Sequence, residues 1–162
     1  SIYAFKGEFD NPYYQGSIHK LCPLDERFDK AYFISLIRNL KKDISAKALL
    51  ATEQRIPGLG NGVCQDILFN ARISPKRKIS TLSEEDIDRL FNTVKSTLEE
   101  MTCQGGRDTE KDLYGALGNY RTILSKNTYH APCPICGERI QKEAYLGGSI
   151  YYCPHCQPSA VN

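Results

Sequence analysis

The sequence predicts a mainly α-helical chain closed by a small metal-clamped β-hairpin, and three observations predict it. Four segments between Asp29 and Met101 carry apolar residues at helical spacing. Near the end stand two Cys-x-x-Cys pairs, Cys133-Pro134-Ile135-Cys136 and Cys153-Pro154-His155-Cys156, separated by sixteen residues. Between the second and third helical segments lies a glycine-rich linker, Pro57-Gly58-Leu59-Gly60-Asn61.

The first residues differ in character from the helical segments. Ile2-Tyr3-Ala4-Phe5 is an apolar, strand-like run, and five of the first fourteen residues are aromatic. A free terminus is usually polar and frayed. Residues 1–20 are therefore expected to be the remnant of a preceding β domain and its linker, with a self-contained aromatic arm as the alternative. A helical domain over 21–125 and a finger over 126–162 complete the expected organisation.

The first helix is predicted from about Asp29, with Phe33, Ile34, Ile37 and Leu40 as its apolar stripe, ending near Lys42-Asp43. Ser45 caps a short second helix through Ala46, Ala48, Leu49, Leu50 and Ala51, which Pro57 and the glycines stop. A third begins at about Asn61, buries Val63, Ile67 and Leu68, and ends at Ser74-Pro75. Ser83-Glu84-Glu85-Asp86 has the form of a capping box opening a fourth helix, whose stripe is Ile87, Leu90, Phe91, Val94, Leu98 and Met101.

The paired cysteines have the spacing of a tetrahedral zinc ribbon. Ile140, Tyr145, Ile150, Tyr151 and Tyr152 favour strands between them, and Gly147-Gly148 offers a hairpin turn. Two disulfides or a redox pair are the alternatives, but so small a hairpin cannot bury enough apolar surface to fold unaided. Four thiolates, Cys133, Cys136, Cys153 and Cys156, leave no open coordination position, so the expected ion is structural, one Zn2+ per chain. His155 could replace a ligand, though a residue inside a knuckle more often faces solvent. Cys22, Cys64 and Cys103 lack metal spacing and read as reduced thiols.

With 162 residues, 41% of them hydrophobic, the chain can bury one moderate core plus the metal satellite. The absence of a secretory apolar region or a long apolar run leads us to expect an intracellular protein with no membrane role. A net charge of +2 is too small to argue a polyanionic partner from composition. Local placement carries that argument instead. Gly58 and Gly60 allow close backbone approach, and a helix starting at Asn61 offers unpaired N–H groups to an anion. Arg72, Lys76, Arg77 and Lys78 put four cations within seven residues downstream, suited to tracking phosphates. Taken singly, the linker reads as a plain interhelical turn and the cations as a solvated face. Together with a zinc ribbon they favour nucleic acid.

Gly58-Leu59-Gly60-Asn61, followed by Leu68-Phe69-x-Ala71-x-Ile73-x-Pro75, resembles the helix–two-turn–helix signature of the formamidopyrimidine-DNA glycosylase and endonuclease VIII family. Gln104-Gly105-Gly106, Tyr120 and the closing Cys-Pro-x-Cys-Gln at Cys153 to Gln157 follow in family order, and the likeness spans roughly residues 20–157. The resemblance implies a helix–two-turn–helix domain and a zinc finger gripping duplex DNA that carries a damaged base or an abasic site. It implies the DNA-binding half of a bifunctional glycosylase and AP lyase acting on oxidised bases, monomeric, and cytoplasmic at a bacterial nucleoid or else nuclear. Asn61 takes the place of a phosphate-binding asparagine and Asp66 that of an acidic residue on the same helix. The family nucleophile is an N-terminal proline amine assisted by a glutamate, whereas this chain opens Ser1-Ile2, so no catalytic residue is expected in it.

Two departures bear on the expected DNA contacts. The family carries an arginine in the finger turn where this chain has Gly148, which leaves Lys142 or Arg139 as substitutes from the facing strand. Gly62-Val63 stands where the family often has Ile-Tyr, which loosens the first helical turn. The expected DNA-binding set is Gly58, Gly60, Asn61, Arg72, Lys76, Arg77 and Lys142. A non-catalytic DNA-binding or damage-sensing module is the alternative. An RNA-binding role would call for a more basic chain.

Overall fold

The computed structural model describes residues 20–159, so the expected β remnant before Lys20 lies outside the described residues, as do the last three positions of the expected finger. Four α-helices, one 3-10 turn and one two-stranded antiparallel sheet follow in order among the described residues.

Helix α1 covers Lys30–Arg38, with the Asp29 side chain accepting the Tyr32 N–H. It stops short of the expected Lys42-Asp43 boundary. Asn39 leaves the helical conformation and its N–H turns back to Ile37 O and Ser35 O. Two long-range ties override local propensity here: Asp43 accepts Ser80 N–H at 3.1 Å and Ser80 Oγ at 2.7 Å, and Ile79 N–H donates to Ile44 O at 2.9 Å. Helix α2 covers Ala46–Ala51 behind the Ser45 cap. Helix α3 covers Asn61–Ala71, with Gly60 at the N-cap and Arg72 in the left-handed conformation (φ 58°) at its end. A 3-10 turn at Ile79–Thr81 leads to α4, Glu84–Cys103, which opens on the full Ser83/Asp86 capping box.

The strands are β1, Gln141–Tyr145, and β2, Gly148–Tyr152, paired from Gln141 opposite Tyr152 to Tyr145 opposite Gly148. The turn sits one residue earlier than the Gly147-Gly148 pair expected, with Leu146 (φ 50°) and Gly147 (φ 76°) as its central residues. Gly148 is thereby the first residue of β2. Both central residues have positive φ, the conformation that matches the twist of paired strands.

Two apolar cores meet on α3. In the first, Phe28, Phe33, Leu49, Leu50, Ile67, Leu68, Leu90 and Val94 are buried together, with Ile87, Phe91 and Leu98 packed against them. The Phe28 and Phe91 rings stack at 6.2 Å. Each such side chain contributes roughly 1.5–3 kcal/mol on leaving water. In the second, Phe69 joins Leu124, Ile140, Tyr151 and the cysteines Cys133, Cys153 and Cys156. Leu124, before the expected finger boundary, and Phe69, from α3, both belong to the finger's core, so packing is continuous across residue 125.

Because α3 is covered from both sides, residues 64–69 are all buried, including Gln65 and Asp66. Buried polar groups need partners. Asp66 accepts Tyr120 OH at 2.9 Å, Ile123 N–H at 3.0 Å and Leu124 N–H at 2.9 Å. Burial pushes its carboxyl above the usual range, against the pull of those donors and the Arg107 guanidinium toward the ionised form. At the far end of the helix Gln157 is fully buried, accepting Cys153 N–H at 2.9 Å and donating to Ile73 O at 3.0 Å.

Asp66→Ala is expected to lower unfolding free energy by about 3 kcal/mol or more, since three donors lose a buried partner. Tyr120→Phe, which removes one hydrogen bond, should cost about 1–2 kcal/mol. Urea denaturation followed by circular dichroism checks both, and an Asp66→Ala protein as stable as the parent would refute the stabilising role of these three hydrogen bonds.

Candidate functional site

The four thiols expected to hold metal come together. All four Sγ atoms lie within 4.8 Å of one another, with Cys133 to Cys156 at 3.9 Å and Cys136 to Cys153 at 3.5 Å. A tetrahedron of thiolates about 2.3 Å from a central ion has edges of about 3.8 Å, so the set fits a metal ion bound by four sulfurs. Cys156 is pushed up to about 12 by burial and by the neighbouring cysteines, so this thiol does not ionise beside the others without a compensating cation. At Cys133 burial acts upward too, but the N–H groups of Cys136 and Ile135 outweigh it and bring the thiol to about 7. His155 is exposed and outside the cluster. Cys22, Cys64 and Cys103 stand apart from it, and burial raises the Cys64 thiol to about 12.

The second site lies at the N-terminus of α3. Gly58 has φ 85°, and nothing stands within 4 Å of where a Cβ would project from either Gly58 or Gly60, so the turn is unobstructed toward solvent. Asn61 is exposed, and its Nδ2 donates to Ser149 O on β2 at 3.0 Å. One amide proton is thus used to fix the side chain, and the second remains. A Cβ at Gly148 would come within 3.3 Å of the same amide, so the finger and the helix start are closely apposed here. Asn61, Gly62, Gln65, Arg107, Lys126 and Ser149 line a shared hollow of about 210 Å³.

The remaining expected contacts do not gather at this hollow. Arg72 is exposed at the opposite end of α3, about 16 Å away for an eleven-residue helix, beside His155 and Cys136. Arg77 is a correction: its side chain is buried, ion-paired with Asp86 at 2.9 Å and bonded to Thr81 O at 3.0 Å. It completes the fold around the start of α4 and presents no free charge. Lys76 pairs with Glu143 on β1 at 2.7 Å and lies over the Tyr152 ring. That pair holds the Glu143 carboxyl below its usual range. Lys142, adjacent to Glu143, projects from the other face of the sheet over the Tyr129 ring, 5.3 Å from its centre. The run from 72 to 78 is therefore not one continuous cationic track. Its members face different neighbours because the chain turns sharply between α3 and the 3-10 turn.

Sequence reasoning missed five residues that build the site. Gln65 donates to Ser149 O at 2.7 Å and accepts Tyr151 N–H at 3.1 Å, joining α3 to β2. Its spacing from Asn61 places both on one helix face, a signal available in advance. Lys47 is buried, and its Nζ donates to Tyr145 O at 2.5 Å beneath the hairpin tip. Burial lowers its pKa. Glu143 and Tyr152 are hydrogen-bonded to each other beside Lys76. Arg107 enters from the loop after α4, and no local pattern marks it.

Comparison with known proteins matches this architecture. A sequence profile described as the formamidopyrimidine-DNA glycosylase H2TH domain matches residues 21–112. A formamidopyrimidine-DNA glycosylase of Pelotomaculum thermopropionicum is 36% identical over 138 residues, 83% of this chain and 49% of that protein. One from Listeria innocua is 34% identical over 146 residues, 87% of this chain and 53% of that protein. Among solved structures, MutM (Fpg) from Thermus thermophilus superposes with a TM-score of 0.75 at 30% identity, covering 88% of this chain and 55% of that one. Lactococcus lactis Fpg in complex with DNA containing an abasic site gives 0.75 at 25% identity, covering 91% and 54%. The chain thus spans about half the length of the relatives it matches. No helix among the described residues is long and apolar enough to cross a membrane. The profile covers more than half of the chain and includes the unobstructed Gly58–Asn61 turn, and on these grounds the chain belongs to the formamidopyrimidine-DNA glycosylase family.

Proposed function

We propose that this chain is the DNA-binding half of a base-excision repair glycosylase and AP lyase that acts on oxidised bases in duplex DNA. The observation that carries the reading is Asn61, standing exposed at an unobstructed Gly-x-Gly turn with its amide oriented by the finger backbone. The N–H groups of the first turn of α3 have no intrahelical acceptor, and the helix dipole adds positive potential there. A DNA phosphate fits this arrangement, and the second proton of Asn61 Nδ2 would complete its coordination. Such contacts fix position on the duplex and read no sequence. Gly58 and Gly60 serve by admitting the backbone, and Lys142 offers an exposed cation on the outer face of the hairpin. Arg72 and Lys76 are more remote supports, and Arg77 acts only through the fold. Support for a duplex with a damaged or missing base comes from the Lactococcus lactis relative, whose solved complexes contain abasic-site DNA.

One zinc ion on Cys133, Cys136, Cys153 and Cys156 is the metal we assign, on the donor set and the tetrahedral spacing of its sulfurs. It would hold the hairpin folded, and with it Ser149 and the orientation of Asn61. Residues 21–125 act as the helix–two-turn–helix domain and 126–162 as the finger, in a monomer located with duplex DNA in the bacterial cytoplasm or a nucleus. The chemistry is assigned outside this chain. A Schiff-base nucleophile requires an accessible amine of lowered pKa. Lys47 has the lowered pKa, but its amine is enclosed beneath Tyr145.

Three outcomes are expected. Elemental analysis of freshly purified, reduced protein should find about one zinc per chain, and chelation should abolish the hairpin's NMR dispersion. Less than half an equivalent of metal would sink the assignment. Asn61→Ala should weaken duplex binding by about tenfold, read by fluorescence anisotropy, and equally across sequences. A loss confined to particular sequences would count against a phosphate role. Incubation with an abasic-site duplex and borohydride should trap no covalent adduct, and an adduct that disappears in Lys47→Ala would overturn the assignment of chemistry elsewhere.

A further inference from the structure

We propose that Arg107 is a phosphate anchor that acts beside Asn61, with Glu110 as an internal placeholder for the phosphate. This inference rests on the duplex-binding reading and adds to the site a cation held in place by the fold.

Gly62 occupies the first turn of α3, a helical position where glycine is less favourable than alanine unless the space its side chain would fill is needed. Its surroundings show what the glycine permits. A Cβ built there would lie 2.5 Å from Arg107 Nη1, 2.7 Å from Nη2 and 2.9 Å from Cζ. The guanidinium therefore lies directly over the first turn of the helix, in the space a side chain at position 62 would fill. It reaches the hollow already lined by Asn61, Gln65, Lys126 and Ser149.

Arg107 is 8% exposed, and its Nε is buried with no hydrogen-bond partner among the described residues. Its backbone is fixed: Arg107 bridges Tyr120, Asp108 N–H donates to Tyr120 O at 2.8 Å, and Tyr120 N–H donates to Gly106 O at 2.9 Å. A Cβ on Gly118 would collide with the Gly106 carbonyl, so the two arms of this loop are in closest contact there. The ion-pair partner is Glu110, at 2.9 Å from Nη1, and its side chain is 64% exposed. A nearly buried cation whose ion-pair partner at Nη1 is a solvent-exposed carboxylate is poised to exchange that carboxylate for a phosphate oxygen. The helix N-terminus, the free proton of Asn61 and the guanidinium then converge on one anion. Asp66 also senses the Arg107 charge. A purely structural role, as counter-charge to Asp66, is the reading the experiment must separate.

The test uses the zinc-loaded chain and a fluorescent duplex with an abasic-site analogue, titrated at several salt concentrations. Arg107→Ala should lower affinity about tenfold and reduce the slope of log K against log salt by about 0.9, the loss of one phosphate contact. Glu110→Gln should leave the melting temperature unchanged and tighten binding roughly three- to fivefold, by removing the competing carboxylate. Arg107→Ala binding with parental affinity and slope, while Asn61→Ala weakens binding, would overturn the anchor and leave the duplex-binding reading intact. If Arg107→Ala does not fold, Glu110→Gln decides: tighter binding supports the anchor, and unchanged or weaker binding refutes it. Failure of the parent chain to bind any duplex would instead defeat the reading on which the anchor rests.

Discussion

Helix α3 has no free face along its middle, and the rest of the structure is arranged around that constraint. Its apolar residues divide between two cores: Ile67 and Leu68 toward the helical bundle, Phe69 toward the finger. The polar residues between them cannot reach water, so each recruits a distant segment. Asp66 gathers the chain at Tyr120–Leu124, and Gln65 gathers β2. A small finger that could not fold alone is thereby fastened to a helix that is itself immobilised. The same fastening sets the position of Ser149, and Ser149 sets the orientation of Asn61.

Much of this was legible in the sequence where the signal is local. Helical periodicity located α2, α3 and α4, the capping box marked Ser83, and the cysteine spacing marked the four thiols that come together. Where distant segments decide, the sequence was silent or misleading. The end of α1 depends on Asp43 meeting Ser80, which no window of neighbouring residues contains. Arg77 reads as part of a cationic run, yet Asp86, nine positions along, removes it from the surface. Arg107 and Gly62 are forty-five positions apart, and each is uninformative without the other. The glycine reads as a weak point in a helix until the guanidinium above it is seen.

Charge in this chain is thus distributed by pairing more than by number. With a net of only +2, cations spent on internal partners matter as much as those left free. Lys76, Arg77 and Lys47 each tie two segments together: Lys76 to Glu143, Arg77 to Asp86 and Lys47 to Tyr145. The positive potential that remains at the start of α3 comes from a few groups whose placement is fixed by the fold, and not from a large electrostatic surface.

The contact between Gln65 and β2 has a consequence beyond fixing the finger. A two-stranded sheet has two open edges, and each exposes backbone groups able to pair with a foreign strand. On the outer edge of β2 the groups pointing away from β1 include Ser149 O and Tyr151 N–H, and the single amide of Gln65 satisfies both, as a neighbouring strand would. The side chain thus imitates a third strand one residue long. It closes this edge to self-association, so the hairpin, rich in tyrosine and isoleucine along β2, gains protection against templated β-aggregation from a residue that belongs to a helix.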